Sequence, residues 1–195
     1  MKKKIIKLTW IVALTFVALT AAFGAYFYLN PESGREILSA YLPKAQTVIN
    51  DDGTLSYLGV LKNNVFACAM CIGMGLVPFI FLPGFAILTN CMIIGALLGF
   101  GAASGVQSPL QAIVFGLLPH GIFELPGFFL SMAMGLYLCR TLTKKLLGRA
   151  REEKILSMLN GIAKTFVLVV IPLLIVAAVV ESSITPMIMK AAGLN

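Results

Sequence analysis

At 195 residues the chain is long enough for one compact domain, but 59% hydrophobic against 12% charged excludes the ordinary soluble class, in which charged residues make up about a quarter. The net charge of +7 does not point to nucleic acid, because Lys and Arg gather beside the apolar runs, where an anionic leaflet attracts them. Those runs are roughly 20 residues long, enough for a helix to cross a bilayer, so the expected fold is all-α: a polytopic integral membrane helical bundle in the cell membrane.

The first 29 residues begin with Lys2, Lys3, Lys4 and Lys7 and continue as an apolar run from 8 to 29, longer than a typical cleaved signal segment. They are expected to form an N-terminal transmembrane helix that stays attached, with its basic end in the cytoplasm. Residues 30–57 carry Pro31, Glu32, Arg35, Glu36, Asp51, Asp52 and Gly53, and read as an extracytoplasmic loop with a short amphipathic piece near "GREILSAYL". Residues 58–195 follow as the membrane core. Within it, residues 63–82 and 85–104 read as two spans joined by a tight turn at "LPGF", 82–85.

The next apolar run, 110–139, would be about 45 Å long as one straight helix, more than the hydrocarbon requires. Pro119 and Pro126 each lack a backbone donor, and Gly116, Gly121 and Gly127 add freedom, so a Pro/Gly-broken helix is expected here, either a kinked long helix or a short re-entrant one before a full span. Arg140, Lys144, Lys145, Arg149, Arg151 and Lys154 then make 140–157 a cytoplasmic basic loop, and 166–183 is the final transmembrane helix. One crossing by 110–139 gives about five transmembrane helices, an amino terminus in the cytoplasm and a carboxyl terminus outside.

The segment "LLPHGIFELPG" holds the chain's single histidine and an acidic residue in apolar surroundings. An ionisable group in the hydrocarbon costs about 2.5–3.5 kcal/mol even after adjustment, so Glu124 is expected to face inward, with His120, four residues earlier, on the same helical face. Asn63, Asn64, Thr89, Asn90 and Ser131 fall at similar depth. A polar network of Asn64, Asn90, His120 and Glu124 is expected, with Asn90 donating to carbonyls freed by Pro119 or Pro126. The "GALLG" spacing at 95–99 suits close helix packing.

Three functional classes follow. In the first, a non-enzymatic scaffold or assembly factor, the network fixes a bent bundle. Its partners, beyond the lipid bilayer, are other membrane proteins or a second copy of the chain. The second is a small transporter or proton-coupled carrier, since broken helices and buried carboxylates build ion sites. The third is an intramembrane metalloprotease-like hydrolase with His120 and Glu124 as candidate catalytic residues. No cofactor is expected on the first reading. The third requires a divalent metal such as zinc, with Cys68 and Cys71, or Cys91 or Glu181, completing the ligands of His120 and Glu124. The cysteines otherwise read as packing residues, and Glu181 as a carboxylate snorkelling at the outer end of the last span.

In "LKNNVF", "LTNCMIIGALLG" and "LPHGIFELP", in that order, the chain resembles the membrane-protein family named after stage II sporulation protein M, over about residues 58–182. The resemblance implies five spans. It also implies a membrane scaffold that recruits a cell-wall-degrading complex in sporulation, or, as for relatives beside circular bacteriocin genes, a role in maturation, export or immunity.

Overall fold

The computed structural model describes residues 2–50, 52–149 and 154–193; Asp51 of the polar stretch and Arg151 of the basic segment lie outside them. Six helices run in order: α1 Lys2–Leu29, α2 Pro31–Gln46, α3 Tyr57–Met74, α4 Pro83–Ala103, α5 Pro109–Leu146 and α6 Ile155–Ala191. All but α2 are long and apolar enough to cross a membrane, which agrees with the five expected spans. Large apolar side chains face outward along them, Leu14 at 69% exposure and Leu168 at 71% among them. In water such a surface would drive aggregation, whereas in a bilayer it is the lipid-facing skin.

Local chemistry sets the helix ends. Ser56 caps α3 by accepting from the Gly59 amide, and Ser108 and Gln111 form a reciprocal capping box at the start of α5. Pro83 opens α4 at its first turn, where a missing N–H costs nothing. This corrects the expected "LPGF" turn. Pro83 and Gly84 already belong to α4, and the chain reverses over residues 75–82, with Phe79 and Phe81 in left-handed backbone (φ 71° and 51°). The Phe79 amide donates to Thr143 Oγ1 at 2.9 Å, tying this reversal to the far end of α5.

Two further expectations change. The stretch 30–57 is largely the helix α2, which begins with Pro31 after Asn30 and docks through Gly34 against Phe27 and Phe100. Of the two alternatives for the 110–139 run, the structure has the long helix: α5 runs over 38 residues, about 57 Å, without a re-entrant piece, and absorbs the first part of the basic segment. Its irregularity is a π turn at Ala112–Leu117, ahead of the His-Glu segment rather than within it, while Pro126 lies in regular α-helix. α6 has two more π turns, Phe166–Val170 and Val180–Ile184. Each π turn ends two residues before a proline, Pro119, Pro172 or Pro186. A proline ring crowds the preceding turn and leaves its carbonyls without a donor, and widening that turn relieves the clash without ending the helix.

Two glycine crossings hold the bundle. α1 packs along α4, where a Cβ on Gly99 would meet the Gly24 carbonyl oxygen and the Tyr28 nitrogen (2.8 Å). α3 packs on α5, where a Cβ on Gly135 would overlap the Cys71 carbonyl. Only glycine permits backbones to approach so closely, so the GxxxG spacing at 95–99 serves packing, as expected. α6 lies against α5 and α3, and the core between them contains Cys68, Cys71, Met132, Met134, Leu138, Val170 and Leu174.

Candidate functional site: a polar cavity inside the bundle

His120 and Glu124 lie one turn apart on α5, and Glu181 and Thr185 lie one turn apart on α6. The two helices present these pairs to each other. Thr185 Oγ1 sits 3.5 Å from His120 Nδ1, and one nitrogen of His120 and one oxygen each of Glu124 and Glu181 all fall within 4.8 Å of one another. The expected i, i+4 relation of His120 and Glu124 is therefore present; of the residues opposite, Glu181 is the alternative ligand named from the sequence, and the Thr185 hydroxyl is an addition.

The cluster opens into a cavity of about 620 Å³. All six helices line it: α1 with Phe16, α2 with Tyr41 and Lys44, α3 with Asn63, Asn64 and Cys68, α4 with Thr89 and Asn90, α5 with His120 and Glu124, and α6 with Glu181. Asn64 is buried, accepts from Asn63 Nδ2 at 3.2 Å, and sits against the Glu124 carboxyl as its polar neighbour from α3. On α2, outside the spans, burial and then the facing carboxylates Glu124 and Glu181 push the Tyr41 phenol above its ordinary pKa.

All four expected network residues thus line one cavity, but their bonding differs from expectation. Asn90 Nδ2 donates to the Ala86 carbonyl of its own helix at 2.8 Å, not to a carbonyl freed by Pro119 or Pro126. A carbonyl one turn back on the same helix is reachable without any interhelical alignment, and it takes the donor. Ser131 is buried with no hydrogen-bond partner for its hydroxyl, although the Cys68 thiol is beside it.

Among the metal-ligand candidates, His120 and Glu124 come together with Glu181, and no cysteine joins them among the described residues. Cys68 reaches the cavity wall but lies outside the cluster, and Cys71 is buried where α3 crosses α5. Cys91 approaches the Phe16 carbonyl at 3.5 Å and does not itself line the cavity. Glu181 is not a snorkelling interfacial carboxylate, since it is half-buried and turned into the cavity. The usable signal was its isolation: it is an acidic residue inside an apolar run, as Glu124 is. Thr185 gave no such signal, because a lone threonine at the end of a span is ordinary.

Residues 12–186 match the protein family described as Stage II sporulation protein M. The chain belongs to this family. Family membership makes it a membrane protein of the Stage II sporulation protein M type, and the match takes in every residue of the cavity. It is also similar, at 28% identity over 190 residues, to an uncharacterized protein of Methanocaldococcus jannaschii; the alignment covers 95% of this chain and 81% of that one. No solved structure matches it.

Proposed function

We propose that this family member is a non-enzymatic membrane scaffold or assembly factor whose bundle is set by the polar groups around Glu124. The observation that carries this reading is the meeting of side chains from separate helices at one point: Asn64 from α3, Glu124 from α5, and Glu181 from α6, with Thr185 of α6 on His120. Such groups bind helices together in lipid, where the alternative is an unsatisfied polar atom. The surfaces left for partners are α2 and the cytoplasmic basic segment.

The orientation proposed is amino terminus inside and carboxyl terminus outside. Supporting it, Lys4 and Lys7 of α1 share one pocket with Arg140 and Lys144 of α5, so two basic clusters far apart in sequence lie at the same end of the bundle. An inner, anionic leaflet attracts that end, which leaves α2 and the cavity toward the outer face.

In-cell photo-cross-linking from α2 tests the scaffold. Glu124→Gln keeps a hydrogen-bonding side chain and is expected to retain the wild-type cross-link, whereas Glu124→Leu is expected to lose it. The carrier reading is favoured by the cavity itself, because a polar void reached from several helices is what a solute site needs. If folded Glu124→Gln and Glu124→Leu both abolish a solute or proton flux that wild type supports in proteoliposomes, the carrier replaces the scaffold.

A further inference from the structure

We propose that His120, Glu124 and Glu181 form a mononuclear site for a divalent transition metal with mixed nitrogen and oxygen preference, of the zinc, manganese or cobalt kind. The inference deepens the reading of the cavity as the organising polar centre and rests on it.

Three observations converge. The first is the donor set, one imidazole and two carboxylates offered from two helices, with the ligand atoms mutually within 4.8 Å. Ligand atoms about 2.1 Å from a shared ion at tetrahedral angles lie about 3.4 Å apart, so side-chain rotations that bring the widest pair together by about 1.4 Å close the cluster. The second is charge. Ionised, as ligation requires, the two carboxylates beside a neutral imidazole would bring −2 to membrane depth, and the cation that the described residues place on the cavity wall, Lys44, sits on the exposed helix α2. A divalent ion cancels that charge where hydrocarbon leaves it otherwise uncompensated. The third is room: three protein ligands beside a cavity of about 620 Å³ leave coordination positions open to water or a small ligand, the arrangement of an open rather than a closed structural site.

The ligand chemistry also sets the class of ion. A nitrogen ligand disfavours calcium and magnesium, which take oxygen, and the absence of thiolate disfavours soft ions. Two outer partners fit a metal site as well: Thr185 Oγ1, 3.5 Å from His120 Nδ1, would orient a ring that ligates through Nε2, and Asn64 lies against the Glu124 carboxyl.

Full-length protein purified in detergent, stripped with chelator and titrated with Zn²⁺, Mn²⁺ or Co²⁺, provides the test. Wild type and Cys68→Ser are expected to bind one of these ions saturably, at about one equivalent per chain. His120→Ala and Glu181→Gln are expected to bind it at least about tenfold more weakly. Monodisperse elution and a retained cooperative melt of the metal-free variants separate lost ligation from lost folding. The cobalt spectrum of wild type is expected to lack thiolate charge-transfer bands. Wild type that binds none of the three ions, folded His120→Ala or Glu181→Gln that binds as tightly as wild type, or a thiolate signature removed by Cys68→Ser would each overturn the site. Because the cross-linking contrast between Glu124→Gln and Glu124→Leu needs no added metal, its survival alongside absent metal binding rejects the ion and leaves the scaffold standing.

Discussion

Along α1 and α4 the contact is made by Phe16, Phe23, Gly24, Gly95 and Gly99, whereas α3, α5 and α6 meet around Asn64, His120, Glu124, Glu181 and Thr185. Lipid tails offer apolar side chains as good a home as a neighbouring helix does, so neither half can rely on the hydrophobic effect to associate. The α1–α4 pair gains its attraction from backbones brought within van der Waals reach. The other group adds to its own glycine crossing, Gly135 against Cys71, the pull of polar atoms that cannot be left in oil. Close packing tolerates no added volume, while polar contact tolerates volume but not the loss of a partner.

This contrast can be broken most severely on the dry side. Gly99→Leu places atoms where the Gly24 carbonyl already lies, and the neighbour is backbone, which cannot rotate away. It is expected to destabilise the bundle by about 3 kcal/mol or more, read as a lower midpoint in a denaturing-detergent titration. A mere steric effect of any surface leucine would be ruled out by Gly116→Leu, which meets open space and should be close to neutral.

On the polar side the expected effects are smaller and can change sign. Ser131→Ala removes a buried hydroxyl that has no hydrogen-bond partner, and is expected to raise stability by about 1 kcal/mol; a loss instead would show that the Cys68 thiol is a true partner. Thr185→Val removes the hydroxyl beside His120 and is expected to cost about 0.6 kcal/mol in the same titration. A cost as large as that of Gly99→Leu would erase the distinction between the two halves.

The five spans were legible because each is a run of apolar residues that no other environment explains, and the His120–Glu124 face was legible because an i, i+4 spacing survives the proline before it. What was not legible has physical reasons. Glu181 lies within the π turn Val180–Ile184, so counting along a regular helix from Phe166 misplaces it, and its pairing with Glu124 depends on the register of α5 against α6, which no local pattern encodes. α2 contains Gly34 and Pro43 among charged residues and reads as loop, yet Pro31 starts a helix there and Gly34 lets it lie against Phe27 and Phe100. At "LPGF" the same two residue types favour a turn or a helix start equally, and the chain uses them for the start. Asn90 lines the cavity, but its bond goes to the nearest carbonyl rather than across to α5.

The three wide turns ahead of Pro119, Pro172 and Pro186 each take in one residue more than a regular coil would, which resets the angular phase of everything beyond by about 100°. Glu181 therefore owes its inward bearing to spacing as much as to its own chemistry. Trimming a single amino acid from the Phe166–Val170 turn would let it close into regular coil and leave the acid in place, whereas the same deletion in a regular turn would swing it about 100° from its histidine, so these segments are where the helix absorbs a change of length without disturbing the centre.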